Sequence, residues 1–437
     1  MIGRIVAALL VATAVPAGAQ TFAIVNGIVA KGDGSEPIQG GTVVVRDGRI
    51  VAAGANVAVP NGAQVIDATG KWVTPGIVAG FSRLGLADVD LSAEGADDTS
   101  SDGPFSASMD ASTAINPLDT TIAVNRADGV TRALVAPRAG ESSIFGGQGA
   151  VIDTGADMDA VTAARKFQFV ELGQTGAENV GGSRLSAHVF FRNALREAAE
   201  LSGTDRPIAA RRQRSEDVLL TRFDAAALVP VLQGRQYLLV HVERASDILQ
   251  VLDLKREFPS LKIVLVGASE GWLVAPQIAK AGVSVIASAV NDLPASFEQL
   301  AATQSNVGRM RKAGVDVSIG MIDDSDTRNL FLERQYAGNL VGLQRIPGAA
   351  GVSWGEALAM ITSRPAEAIG MDKEIGSLEG GRRADLVIWS GDPLEGSSAA
   401  EQVFIDGVRQ PLDTHQSRLF ERYRSLPRTD LPKAYRH

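Results

Sequence analysis

Short apolar runs alternate with helix-like segments along the middle of the chain, from Ile77 to about Gly370. The runs are rich in Val, Ile and Leu and end at Gly or polar residues, which is the pattern of buried strands. The predicted strands are Ile77–Ser82, Thr131–Ala136, Lys166–Glu171, Tyr237–Val242, Lys262–Gly267, Ser284–Ser288 and Asp316–Gly320. The predicted helices include Ser186–Leu201, Asp224–Gln233, Ser246–Phe258, Glu270–Ala281 and Trp354–Ile369.

Strand–helix alternation over ~300 residues predicts a parallel sheet, and this length suits an α/β fold of the TIM-like (β/α)8 barrel type. The pattern assigns seven strands, so one strand of such a barrel is missed or distorted. A doubly wound open sheet is the structural alternative, but no Gly-rich phosphate loop follows an early strand.

The two ends of the chain are β-rich instead. Near the N-terminus, Thr42–Val45 is a β-branched run that is followed by the turn Asp47-Gly48. Near the C-terminus, Ala384–Trp389 and Gln402–Ile405 have the same character, and Asp406-Gly407 supplies another hairpin turn.

The first 19 residues have the three regions of a secretory signal peptide. Met1–Arg4 gives a short basic start, Ile5–Val15 is an apolar run too short to span a bilayer, and Ala17–Ala19 supplies small residues for cleavage. The alternative is a buried N-terminal strand. The pattern predicts an exported, periplasmic protein whose mature chain starts at Gln20.

The net charge, hydropathy and cysteine content limit the kinds of partner that the protein is expected to bind. The net charge of −8 argues against nucleic-acid binding, and no other stretch has the length and hydropathy of a membrane span. The chain has no cysteine, which removes thiolates as nucleophiles or metal ligands. A small molecule remains as the expected ligand, and the sequence does not indicate an oligomeric state.

Two long blocks resemble the amidohydrolase superfamily, in its imidazolonepropionase-like exported branch. They are Ala357–Gly370 and Ile375–Trp389, the latter followed by Gly391-Asp392-Pro393, and Gly146–Gly149 resembles a Gly-rich turn of the same branch. The resemblance implies a barrel over residues 75–374, a composite β-sandwich built from residues 20–74 and 375–413, and a C-terminal tail over 414–437. It also implies hydrolysis of a non-peptide carbon–nitrogen bond in a small molecule such as a cyclic amide, with a divalent metal such as zinc.

The metal-ligand motif of that family is degenerate here. Pro75-Gly76 matches the start of the first barrel strand, but Phe81 and Arg83 stand where two histidines are expected. Phe has no lone pair for a metal, and Arg carries a fixed positive charge. His241 matches a histidine ligand of the fifth strand and is a residual ligand position, whereas Gly267 stands where the next histidine belongs. No cofactor is therefore assigned.

Other groups at the predicted strand ends are candidates for remaining chemistry. Asp323 and Asp324 follow the last strand, where the family has its general base; the alternative is an acidic loop that caps a helix. Arg83 and His241 are the candidate substrate-binding residues. Arg83 is either an anion clamp or the partner of a buried carboxylate, and His241 is otherwise a core histidine.

Two charged segments complete the sequence. The acidic run Asp88–Asp102 follows the first barrel strand and is either a solvated loop, a substrate lid or a weak calcium site. The basic tail either contacts a membrane surface or an acidic partner, or wraps the domain through Leu419, Phe420, Tyr423 and Leu426. The functional alternatives are a hydrolase with most metal ligands missing and a catalytically inactive periplasmic binding or accessory protein.

Overall fold

The computed structural model describes residues 21–87, 95–100, 103–202, 218–322 and 327–424. Its strands, in chain order, are β1 (Phe22–Val29), β2 (Ile38–Arg46), β3 (Arg49–Gly54), β4 (Gln64–Asp67), β5 (Trp72–Pro75), β6 (Ile77–Ser82), β7 (Val130–Val135), β8 (Phe145–Asp153), β9 (Val161–Glu171), β10 (Tyr237–Val242), β11 (Lys262–Gly267), β12 (Ser284–Ala287), β13 (Val317–Ile319), β14 (Leu386–Trp389), β15 (Ala400–Ile405) and β16 (Val408–Arg409).

Its α-helices are α1 (Thr120–Ala127), α2 (Gln174–Asn179), α3 (Arg184–Ser202), α4 (Arg222–Leu232), α5 (Ala245–Glu257), α6 (Ala275–Ala281), α7 (Asn306–Lys312), α8 (Glu333–Gly342), α9 (Trp354–Met360), α10 (Ser363–Ala368) and α11 (His415–Tyr423). Within the described ranges, no helix has the length and apolar character needed to cross a membrane.

The middle of the chain forms an eight-stranded sheet in the order β13-β12-β11-β10-β9-β8-β7-β6. The sheet nearly closes on itself, because the Met321 amide donates to the Phe81 carbonyl at 3.1 Å and the Arg83 amide donates to the Thr327 carbonyl at 3.0 Å. This confirms the TIM-like barrel. Its interior holds apolar side chains from most strands: Phe81, Leu134, Phe167, Phe169, Leu239, Val264 and Ile286.

The strand missed by the sequence pattern is β8, and it runs antiparallel to both of its neighbours. The expectation of an all-parallel sheet is therefore wrong at this strand, and Gly146–Gly149 lies inside β8 rather than in a turn. The glycines of β8 are required by its close contact with two aromatic residues of β9. A Cβ at Gly149 would overlap the ring of Phe167, and one at Gly146 would lie 2.8 Å from the ring of Phe169. Glycine lets β8 pass directly over these two aromatic rings.

One predicted helix is divided in two. The segment Trp354–Ile369 contains α9 and α10, because in a continuing helix the Ile361 carbonyl would need the amide of residue 365, and Pro365 has no N–H. The Ile361 carbonyl instead accepts the Val78 amide of β6 at 2.9 Å, so the interruption also ties the helix to the barrel. The predicted helix Glu270–Ala281 likewise begins as a short 3-10 turn, Gly271–Leu273, before α6.

Both chain ends pair into a second eight-stranded sheet, with β5 antiparallel to β14 so that Trp72 lies opposite Trp389. The prediction that the two ends combine is confirmed, and they form one continuous hydrogen-bonded sheet. The domain limits expected from the sequence, including the boundaries at residues 74/75 and 374/375, stay predictions.

Arg132 of β7 links the barrel to this sheet. Its guanidinium is fully buried and donates to both carboxylate oxygens of Asp385, at 2.8 and 3.1 Å. It also donates to Asp153 of β8 at 3.2 Å and to Asp406 at 2.9 Å. Because the buried guanidinium of Arg132 is shared by carboxylates from both sheets, it holds the barrel and the second sheet together.

The basic tail is described as far as Arg424 and contains α11. None of the helix residues is buried, and Leu419, Phe420 and Tyr423 are all exposed. The interpretation in which these three side chains anchor the tail to the domain is therefore wrong, and the fourth expected anchor, Leu426, lies outside the described residues.

Candidate functional site

His241 lies near the carboxyl end of β10 and faces Glu171 at the end of β9. The two residues are paired across the parallel strands, and the Nδ1 atom of His241 lies 2.7 Å from Oε1 of Glu171. Glu243 follows two positions later, on the same side of the chain as His241. Its Oε1 atom lies 3.0 Å from Nε2 of His241. Both ring nitrogens are thus engaged by carboxylates on opposite edges of the ring.

This arrangement stabilises the charged form of His241. Burial alone would lower the pKa of His241, but the charge and hydrogen bond of Glu171, followed by those of Glu243, hold it well above the ordinary value of 6.5. Burial would raise the pKa of Glu243. The hydrogen bond and charge of His241, together with the Ser269 amide, instead hold it below 4.5. At neutral pH, His241 is an imidazolium that donates to both carboxylates.

Gly267, at the end of β11, leaves the space that Glu243 occupies. A Cβ at this position would overlap Oε1 of Glu243 and lie 3.0 Å from Cδ2 of His241, and the residue has a φ of +87°. The place expected for a further histidine ligand is therefore filled from the neighbouring strand by a carboxylate.

A second group of charges lies beside this one, on Glu298, Arg184, Asp247 and Arg244. Arg184 donates to Glu298 at 2.8 Å and to Asp247 at 2.7 Å, and Arg244 donates to the other oxygen of Asp247 at 2.8 Å. The Gln174 amide donates to Glu298 at 2.7 Å. Burial raises the pKa of Glu298, and His241 is one of the charges that act against this rise.

Phe81 and Arg83, at the end of the first barrel strand, lie apart from these charged groups in contacts of their own. Phe81 is 1% exposed, and its ring centroid lies 5.2 Å from that of Phe169. Arg83 is also buried, and its Nε atom lies 3.9 Å from the carboxylate of Asp98, which is buried as well and also accepts from Arg138 at 3.0 Å. The structure therefore places Arg83 beside a buried carboxylate, one of the two roles that the sequence left open.

The other candidate residues lie elsewhere in the fold or outside the described part of the chain. Asp323 and Asp324 lie outside the described residues, as do residues 88–94 and 101–102 of the acidic run. His188 lies on α3 and His415 begins the exposed α11.

The donor set does not fit the divalent metal that the fold family implies. Phe81 offers no donor, Arg83 repels a cation, and both nitrogens of His241 are already engaged. Among the residues that the structure describes, no group of three or more His, Asp or Glu side chains is arranged to hold a metal ion. Catalytic zinc usually has three protein ligands and a water.

Sequence reasoning missed Glu243 and Asp98. Glu243 could have been found, because it directly follows the strand that ends at Val242, and residues i and i+2 of an extended segment share a face. Asp98 carried no such signal. It is one of many carboxylates in the acidic run, and only the tertiary structure singles it out.

Comparison with known proteins supports the assignment made from the fold. The model of the amidohydrolase family matches residues 243–414. The amidohydrolase tasK of Hapsidospora irregularis is 28% identical over 80% of this chain, although the match spans only 38% of that protein. An imidazolonepropionase of Acidiphilium cryptum is 27% identical over 82% of this chain and 89% of its own length.

A solved structure agrees in fold. An amidohydrolase from Thermotoga maritima superposes with a TM-score of 0.77 at 23% identity, covering 89% of this chain and 99% of that one. The family match and these relatives support placing the chain in the amidohydrolase superfamily, and the chain is similar to imidazolonepropionases.

Proposed function

We propose that this protein uses an amidohydrolase barrel to bind a polar small molecule at the carboxyl ends of β9 and β10, without metal-dependent hydrolysis. One observation carries the proposal: Phe81 is buried against Phe169 where the first strand is expected to supply a metal-binding histidine. Hydrolysis at a metal centre needs a bound hydroxide, and that hydroxide needs the cation.

His241 cannot replace the metal as a general base at neutral pH. A general base works best when its pKa is near the operating pH and it has a free lone pair. His241 has a pKa well above 6.5, and its nitrogens face Glu171 and Glu243. The two carboxylates hold the ring of His241 in one position and in its charged form, which suits ligand binding better than proton transfer.

The accessible part of the group suits a ligand with N–H donors. The side chain of His241 is 19% exposed, and that of Glu171 is 11% exposed. One oxygen of Glu171 accepts from His241, so its other oxygen is the acceptor available to a ligand. A cyclic amide, imide or hydantoin presents such an N–H group.

A thermal-shift screen of cyclic amides, imides and hydantoins tests this proposal. A ligand should raise the melting temperature of the wild-type protein, and the shift should disappear in Glu171→Gln and His241→Asn. Glu200→Gln, at an exposed position of α3, is the control and should retain the shift. A shift that survives both site variants, or chelator-sensitive hydrolysis of any of these amides, would contradict the proposal.

The second candidate function is metal-independent hydrolysis by Asp323 or Asp324. It is favoured by the order of the chain, because these residues come a few positions after β13 ends and catalytic groups of such barrels come from the segments that follow the strands. Amide hydrolysis that resists chelators and is abolished by Asp324→Asn or Asp323→Asn would select it over the binding protein.

We also propose that the protein is exported and loses its first 19 residues, on the basis of the three-part N-terminal pattern. Intact-mass spectrometry of the exported protein should give Gln20 as its first residue. Retention of Met1 on exported protein would refute it.

A further inference from the structure

The helix α11 has an apolar side that no part of the described chain covers. At about 100° per residue, Leu419, Tyr423 and Phe420 fall on one arc of the helix, about 100° wide. Phe420 is 65% exposed and Tyr423 is 53% exposed. Arg422 and Arg424 border this arc on its two sides, so a basic rim encloses an apolar strip.

Basic charge is concentrated in the same part of the chain. Residues 415–437 contain six of the 42 Lys and Arg residues but only two of the 50 Asp and Glu residues. Their net charge is therefore +4, whereas the rest of the chain carries −12 of the total of −8. Such asymmetry within one chain is typical of a segment that meets an anionic surface.

The helix also lacks the support that normally stabilises a short helix. It has nine residues and no buried side chain, and isolated helices shorter than ~12–15 residues are marginal in water. Its N-terminus has a complete capping box between Thr414 and Ser417, so the sequence specifies this helix locally. A partner surface for the apolar strip would supply the missing stabilisation.

We propose that α11 docks on an anionic lipid surface. Leu419, Phe420 and Tyr423 would enter the boundary between headgroups and acyl chains, while the arginines on either side contact lipid phosphates. The +4 charge complements anionic lipid, and the −12 body of the chain is repelled by the same surface, so the tail orients the protein. This proposal is independent of what the barrel binds.

Vesicle co-sedimentation of the full chain tests the charge contribution. Vesicles of phosphatidylcholine that contain phosphatidylglycerol should bind the protein at low salt, and pure phosphatidylcholine vesicles should bind it far less. An arginine near an anionic surface contributes on the order of fivefold to binding, so Arg422→Gln with Arg424→Gln should weaken it about tenfold or more. The control, Arg196→Gln with Arg256→Gln, removes equal charge from exposed positions of α3 and α5 and should bind like wild type.

The apolar contribution is tested with Phe420→Ser, which should also reduce vesicle binding. Phe297→Ser is the control, because Phe297 is 84% exposed but lies far along the chain from α11. Unchanged melting temperatures would show that the variants remain folded, as expected for residues without buried contacts.

The orientation of the helix can be read directly, because the chain has no cysteine. A polarity-sensitive label on Tyr423→Cys should shift to the blue with anionic vesicles, whereas one on Glu421→Cys, on the opposite side of α11, should not. The proposal is overturned by absent binding, by equal binding of the Arg422/Arg424 variant, or by self-association that Phe420→Ser abolishes without any vesicle binding.

Discussion

The aromatic rings of Phe81 and Phe169 lie 5.2 Å apart, centroid to centroid, inside the barrel. Phe81 comes from the first barrel strand, at the position where the resemblance to amidohydrolases leads us to expect a metal-binding histidine, and Phe169 comes from β9. The contact makes Phe81 part of the apolar interior of the barrel.

This packing predicts a large effect of Phe81→Ala on stability. Removing a buried aromatic ring should cost about 3–5 kcal/mol of unfolding free energy, because the transfer energy is lost and a cavity remains. The exposed Phe297→Ala should change stability by less than about 0.5 kcal/mol. Urea unfolding of both variants measures the difference, and equal losses would show that Phe81 is not packed as described.

The interactions of His241 with Glu171 and Glu243 predict that the free energy of unfolding falls at both high and low pH. The pKa of His241 is raised in the folded protein, so its contribution is complete below 6.5 and is lost as the pH rises through the raised value. The pKa of Glu243 is lowered, so its contribution is present above 4.5 and is lost as the pH falls through the lowered value. Stability from this group should therefore be greatest between these two values.

Urea unfolding across pH, for wild type and for His241→Asn with Glu243→Gln, measures both decreases. The double variant should show a flatter profile, whereas His415→Asn, at an exposed position of α11, should keep the wild-type shape. A His241 proton resonance that titrates near 6.5 would contradict the ion-paired arrangement.

Gly267 and Gly314 offer a matched pair of substitutions, because both have a φ of +87°. A Cβ at Gly314 meets no atom within 4 Å, whereas a Cβ at Gly267 overlaps the Glu243 carboxylate. Each alanine should cost about 1–2 kcal/mol for its backbone conformation, and Gly267→Ala should cost a further ~1–3 kcal/mol because of the overlap. Similar losses in the two variants would mean that Glu243 does not occupy the space beside Gly267.

The junction between the two sheets predicts that Arg132→Met is strongly destabilising. The substitution leaves Asp153, Asp385 and Asp406 without their shared cation, and breaking a buried ion pair typically costs about 3–5 kcal/mol. Arg256→Met, on the surface of α5, should cost less than about 1 kcal/mol. Chemical denaturation compares them, and a small loss for Arg132→Met would show that the sheets are held together by other contacts.

Much of the fold was predictable because buried strands have a strong apolar signature. Strand β10 appeared with the bounds that the pattern gave, and β11 did too. Strand β8 did not, because Gly146 and Gly149 are there to clear Phe167 and Phe169, and glycine carries no strand signal of its own. The break between α9 and α10 could have been predicted, because Pro365 has no N–H to donate to the Ile361 carbonyl in a continuous helix.

The candidate site was predictable only where residues keep a family position. His241 was singled out in this way, and the prediction that Phe81 and Arg83 stand in place of two metal ligands rests on the same resemblance. The pairing of Arg83 with Asp98 could not, because it depends on how the loop after β6 returns to the barrel. The engagement of both His241 nitrogens likewise needed the positions of two neighbouring carboxylates.

Elemental analysis of the purified full-length protein, prepared without chelators from metal-supplemented medium, tests the central claim most directly. The account predicts no stoichiometric zinc, nickel or manganese, because Phe81, Arg83 and Gly267 replace expected ligands and His241 is ion-paired. Loss of a single outer partner of a metal ligand already costs ~10–100-fold in affinity. Stoichiometric metal, together with hydrolysis of a cyclic amide that a chelator abolishes, would contradict the account and show an ordinary metal-dependent amidohydrolase.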